Sequence, residues 1–243
     1  MDIKNKTALI TGGAVRLGRA ICLELADAGA NIFCQYHSSS EQASSLKIAI
    51  ESKGGKIEIF QADLTEADAA KKISRAAQSA FGQIDILVNN SALFYPTALG
   101  EVKEQDWDTF HDLNLKAAFF LSQEVGLLMQ QQKLGRIVNI GDTSVDSPWK
   151  NYIPYILSKS GVVTMTKGLA KALAPHVLVN CINPGPVMFP DHYNEEQRAK
   201  SVKRTLLQRE GSAEDIARTA RFLIETDYIT GAVIPVDGGR HIG

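Results

Sequence analysis

Short runs of β-branched and apolar residues alternate along this chain with longer stretches in which apolar residues recur at helical spacing, and few folds accept that rhythm. Strands are expected at Thr7–Thr11, Asn31–Tyr36, Lys56–Gln61, Ile84–Asn89, Gly135–Ile140, Val177–Ile182 and Ala232–Val236. Between them, helical spacing covers Leu17–Ala28, Ser40–Ser52, Glu66–Ala80, Lys103–Gln132, Tyr152–Ala174 and Ala213–Glu225. Strands joined through helices by short connections require right-handed crossovers. The expected fold is therefore α/β: a Rossmann-type doubly wound parallel sheet of about seven strands, in one domain over residues 1–243.

One stretch breaks the rhythm. Residues 183–212 begin with NPGPVMFP, continue through a charged segment, and accommodate one short helix at Asn194–Arg204. Because this insertion follows the sixth strand at its carboxyl end, where ligands of open α/β sheets bind, it reads as a substrate-covering loop, with a solvated excursion as the plainer alternative.

Charge narrows the partners. With 26 Lys and Arg against 27 Asp and Glu the net charge is −1, which leaves no basic excess for nucleic acid or an acidic membrane face. The N-terminal apolar run is too short for a signal or a span. Cys22, Cys34 and Cys181 lie far apart with no CxxC pair, as expected of reduced core thiols in a cytoplasmic protein without a metal cage.

The first strand runs directly into Thr11-Gly12-Gly13-Ala14-Val15-Arg16-Leu17-Gly18 and then into a helix. Gly12 and Gly13 permit a tight turn and close backbone approach, Gly18 permits close helix packing, and the helix N-terminus offers free N–H groups to a pyrophosphate. Arg16 stands where many such turns carry another glycine. Its guanidinium is suited to grip a phosphate, and a solvent-facing arginine is the alternative. The second strand ends in Gln35, Tyr36, His37, Ser38, Ser39 and Ser40, without the carboxylate that accepts a ribose hydroxyl in NAD enzymes. No negative charge there repels a 2′-phosphate, which favours NADPH, although the serines also suit a helix N-cap. Asp63 is placed to bond the adenine amine and Asn89 to contact the adenosine ribose. Both are equally ordinary turn residues.

Tyr155 and Lys159 are four residues apart on one helix and share a face, so the cation is expected to lower the phenol pKa and make Tyr155 a proton donor. Thirteen residues upstream, Asp142 lies at the carboxyl end of the fifth strand. Asn114, polar among apolar neighbours in a long helix, reads either as a satisfied core amide or as support for a water chain to Lys159.

These residues together resemble the short-chain dehydrogenase/reductase family over essentially the whole chain: TGGAVRLG (Thr11 to Gly18), NN (Asn89, Asn90), Asn114, YILSK (Tyr155 to Lys159), NPG (Asn183 to Gly185) and VDGG (Val236 to Gly239). The resemblance implies that Tyr155 is the catalytic acid, that Lys159 holds the nicotinamide ribose, that Asn114 feeds a proton relay, and that Pro184 and Gly185 wall the nicotinamide. Asp142 departs from the serine that most members carry. With Arg16 and the segment NNSALFYPT (Asn89 to Thr97), it resembles the pteridine reductase branch, and there Phe94 is implied to stack on a flat heterocycle. The chemistry agrees, since a carboxyl group suits the amino and ring N–H groups of a pterin, whereas serine suits a carbonyl. Ala92 cannot donate a side-chain hydrogen bond to such a ring, and Ser38 replaces a neighbouring arginine of some pteridine reductases.

The expected activity is hydride transfer from NADPH to a C=N bond of a pterin or dihydrofolate-like substrate. The alternatives are a carbonyl reductase of 3-oxoacyl thioesters, sugars or quinones, and a NADP(H)-binding protein without turnover. An apolar stripe on the helix Asp106 to Gln131 reads as core first. Family resemblance implies that this helix pairs across a two-fold in a homotetramer.

Overall fold

The computed structural model describes residues 1–189 and 193–243. Seven strands, β1 (Thr7–Thr11), β2 (Asn31–Tyr36), β3 (Lys56–Gln61), β4 (Ile86–Asn89), β5 (Gly135–Ile140), β6 (Val177–Pro184) and β7 (Val233–Val236), form one sheet in the order β3-β2-β1-β4-β5-β6-β7. All pairings are parallel. Successive strands are added outward in one direction from β1 to β3 and in the other from β4 to β7, and the crevice at that switch point between β1 and β4 is where this architecture takes its ligands.

Side-chain alternation builds the two covering layers. Ile10, Val88, Val138 and Ile182 face α1 (Arg16–Asp27), α2 (Ser40–Glu51) and α8 (Ala213–Glu225), through Ile21, Leu46 and Leu223. Their strand neighbours Leu9, Leu87, Ile137 and Val179 face α3 (Ala69–Phe81), α5 (Ala117–Gln132) and α6 (Ile153–Leu173), through Ile73, Val125 and Leu173. Every residue of β1, β4 and β5 is buried, which accounts for their nearly continuous apolar sequence.

Three expectations are corrected. The helix anticipated over Lys103–Gln132 is three segments: α4 (Glu104–Phe110), a π-helical stretch His111–Lys116, and α5. A widened turn inside a continuous apolar pattern leaves the periodicity nearly unchanged, so spacing conceals it. Helix α3 begins at Ala69 rather than Glu66, because Asp68 adopts a left-handed conformation (φ 60°). Strand β6 continues through Pro184, where Pro184 pairs with Val236 and carries the strand up to the crevice. The short helix of the insertion is present as α7 (Glu195–Val202), with Asn194 capping it. Residues 190–192 of that segment lie outside the described residues.

Among the described residues no helix is long and apolar enough to cross a membrane, and no His, Cys, Asp and Glu cluster could hold a metal ion. Cys22, Cys34 and Cys181 are free and buried.

Candidate active site

A crevice of about 740 Å³ runs along the carboxyl ends of the strands. Its floor is the glycine turn. Gly12 has φ +60°, and a Cβ there would lie 2.8 Å from Ser91 Oγ, while a Cβ on Gly18 would collide with the Gly12 carbonyl oxygen. Asn90 locks the turn by donating to the carbonyls of Thr11 (2.9 Å) and Gly12 (3.2 Å). Helix α1 opens above it with no side-chain cap and no acidic residue in its first turn, whereas α7 and α8 are closed by capping boxes. An anion at the α1 terminus would meet unsatisfied N–H groups and no carboxylate, so the turn fits a dinucleotide pyrophosphate.

Arg16 and Leu17 line the crevice, but the Arg16 guanidinium reaches across it to the Met188 carbonyl at 2.6 Å and the Phe189 carbonyl at 3.5 Å. The expected phosphate grip is thus taken up by the loop after β6. At the other end lie His37, Ser38, Ser39 and Asp63. Asp63 Oδ1 accepts from Thr65 N (2.8 Å) and Thr65 Oγ1 (2.7 Å), which holds its carboxyl below the usual range, and His37 stands 3.8 Å from Oδ2. Of the serines, Ser39 occupies the N-cap position of α2, without a side-chain hydrogen bond to the helix. The ribose contact expected of Asn89 is corrected: its side chain turns into the core and donates to Ser122 Oγ and Asn139 Oδ1, each at 2.8 Å. Asn90 occupies the crevice instead.

Past the glycine turn, Tyr155 Oη donates to Asp142 Oδ2 at 2.6 Å, and Ser144 N donates to Asp142 Oδ1 at 2.7 Å. Lys159 Nζ donates to the Ile140 carbonyl at 2.8 Å. The expected lowering of the phenol pKa is overturned: burial, then the Asp142 charge and hydrogen bond, push Tyr155 well above its ordinary value. Burial pulls Lys159 down, against the opposing charge of Asp142. Asn114, buried in the π-helical stretch, accepts from Leu93 N (2.8 Å) and donates to the Leu93 carbonyl (3.2 Å) and Ser158 Oγ (3.1 Å). Its side chain clamps the segment before Phe94 and makes no bond to Lys159. Pro184 and Gly185 line the crevice, and a Cβ on Gly185 would come within 2.5 Å of Asp237 Cα.

The remaining end is an aromatic box, most of which sequence reasoning missed. Phe94 stacks on Tyr152 (4.8 Å, 11°) and meets Tyr155 edge-on (4.9 Å, 80°). Trp149 packs edge-on against Tyr152 at 5.5 Å, Tyr152 Oη lies 3.4 Å from Tyr193 Oη, and Tyr193 stacks on Phe189 at 5.8 Å. The available signal was the aromatic density of PWKNYIPY, with Tyr152 one helical turn before Tyr155. Arg240 comes from the C-terminal tail of the same chain and lays its guanidinium 5.1 Å from the Trp149 ring.

A parallel sheet with an uncapped glycine turn at its switch point, next to a buried tyrosine and lysine and a half-buried carboxylate, defines a nicotinamide-dependent oxidoreductase. The family model described as enoyl-(acyl carrier protein) reductase matches residues 13–241. A 3-oxoacyl-[acyl-carrier-protein] reductase FabG of Staphylococcus aureus is 34% identical over 244 residues, covering 98% of both chains. Two solved structures are similar throughout. One is a short-chain dehydrogenase/reductase from Serratia marcescens (34% identity, TM-score 0.93, 99% of this chain and 100% of that one). The other is FolM alternative dihydrofolate reductase 1 from Brucella canis complexed with NADP (32% identity, TM-score 0.94, 100% of this chain and 96% of that one). The chain belongs to the short-chain dehydrogenase/reductase family.

Proposed function

We propose that the protein is a NADPH-dependent reductase of a C=N bond in a pterin or dihydrofolate-like ring. The observation that carries this reading is the Asp142 carboxylate, bonded to the Tyr155 hydroxyl and facing an aromatic box. A carboxylate accepts hydrogen bonds only, so its natural counterpart is a ring edge rich in N–H groups, and the flat walls suit a heterocycle. The relationship to FolM alternative dihydrofolate reductase supports the same assignment.

NADPH, when bound, supplies the hydride to the ring carbon. Gly12, Leu17, Gly18 and the α1 terminus would hold its pyrophosphate, with Arg16 free to join them only by releasing the Met188 and Phe189 carbonyls. His37, Ser38 and Ser39 offer donors to a 2′-phosphate, and Asp63 is placed for the adenine amine. Lys159 would hold the nicotinamide ribose, with Pro184 and Gly185 walling the nicotinamide. Phe94, backed by Tyr152, would stack on the substrate ring. Asp142 would accept its N–H groups, and Tyr155 would donate a proton to the reduced ring nitrogen. The raised pKa keeps that proton on Tyr155 Oη through neutrality, so the phenol is charged with its proton before substrate arrives. Asn114 contributes by fixing Leu93 and so the approach of Phe94. Residues 183–212 would cover the substrate.

Reduction of 3-oxoacyl thioesters is the second reading, favoured by the FabG relatives. Asp142→Ser separates the two. The pterin reading expects at least about a tenfold loss of kcat/KM with dihydrobiopterin and a gain in ketone reduction. Undiminished pterin turnover in this variant would show the aspartate to be incidental.

A further inference from the structure

Three other cations border the crevice, and each is engaged or remote: Arg16 is bonded to two loop carbonyls, Lys159 to the Ile140 carbonyl, and His37 lies at the adenosine end. Arg240 differs. Its Nη1 donates to Ser201 O (3.0 Å) and Ser201 Oγ (2.7 Å), while among the described residues Nε and Nη2 have no hydrogen-bond acceptor. It lies over Trp149, which packs edge-on against Phe94 at 6.3 Å and against Tyr152 at 5.5 Å, so the guanidinium lines the crevice beside the aromatic box.

The tail that carries Arg240 is fastened to the Asp142 segment. Asp237 accepts from Thr143 Oγ1 (2.6 Å), Gly239 N (2.9 Å), His241 N (2.9 Å) and the His241 ring (2.9 Å). Thr143 directly follows Asp142, and Gly239 and His241 flank Arg240. One buried carboxylate therefore holds a hydrogen-bond acceptor, Asp142, and a hydrogen-bond donor, Arg240, in fixed relation. Burial pulls the guanidinium below its ordinary value, with Arg204 adding to this and Asp142 opposing it.

We propose that Arg240 determines substrate specificity by donating to the ring carbonyl oxygen of a 4-oxo pteridine while Asp142 accepts the N–H groups of the same ring edge. This rests on the pterin reading of the site. A lactam edge places an N–H donor beside a carbonyl acceptor, the complement of a carboxylate paired with an arginine. A 2,4-diaminopteridine carries an amino donor in place of that carbonyl, so the position Arg240 would bond presents a donor to a donor.

The test compares wild-type protein, Arg240→Met and Arg240→Lys, measuring KM and kcat for dihydrobiopterin and the inhibition constant of a 2,4-diaminopteridine. Arg240→Met is expected to raise KM about tenfold or more, with kcat changed far less. The inhibition constant should stay within about twofold, and Arg240→Lys should restore part of the KM. A KM unchanged in Arg240→Met, or KM and inhibition constant rising together, overturns the inference while leaving the pterin reading standing. Wild-type protein inert toward dihydrobiopterin sinks both.

Discussion

Asp142 and Tyr155 are joined by a 2.6 Å hydrogen bond, and that contact decides where the proton waits. The spacing of Tyr155 and Lys159 was readable because i and i+4 share a helix face, but the direction of the phenol's shift was not. Which charge sits on the hydroxyl depends on a strand end thirteen residues away, and there the nearest ionic group is a carboxylate. Tyr155→Phe is expected to lower kcat about 10²–10⁴-fold while fluorescence titration still shows NADPH binding. Wild-type turnover would remove Tyr155 as the acid. Since burial lowers the Lys159 pKa, the alkaline limb of kcat/KM should fall below the ordinary lysine range. Asn89 and Asn90 teach a related lesson. Asn89 ends β4 and Asn90 is the first residue beyond it, and only the fold reveals which of the two enters the crevice.

At the level of elements, the glycine turn and α1 were legible because both the glycines and their place between strand and helix follow from backbone demands. Gly18→Ala sets a methyl group against the Gly12 carbonyl, a backbone atom that cannot step aside. It should weaken NADPH binding by about tenfold or more, read by calorimetry, with the sheet intact. The tail was not legible, since VDGGRHIG has no periodicity. Asp237 is its anchor: burial raises its pKa, but the bonds from Thr143, His241 and Gly239 outweigh that and leave it below the ordinary carboxylate value. A depressed folded pKa means stabilisation that is present above the unfolded value and lost as pH falls through the folded one. Asp237→Asn should therefore cost about 2 kcal/mol at pH 7. Denaturant melts should show that deficit shrinking below about pH 4. A deficit independent of pH would deny the carboxylate its role.

For the whole molecule, seven strands and their parallel order were expected from alternation and crossover handedness. The aromatic box was not, because it gathers side chains from three separate segments of the chain: Phe94, Trp149 to Tyr155, and Phe189 with Tyr193. Phe110, Leu121 and Val125 of the apolar stripe are core, whereas Phe119, Phe120 and Leu127 on α5 and Leu157 on α6 are exposed. We propose that this face supports the homotetramer implied by family resemblance. Sedimentation should then report about four times the 26.4 kDa protomer, and Phe120→Glu should reduce it. A monomeric wild type would contradict this. Reduction of a C=N bond is checked by following NADPH oxidation by the wild-type protein, with dihydrobiopterin, dihydrofolate and a 3-oxoacyl thioester offered in parallel. The highest kcat/KM is expected for a dihydropterin; rapid thioester reduction with both pterins inert would overturn the assignment.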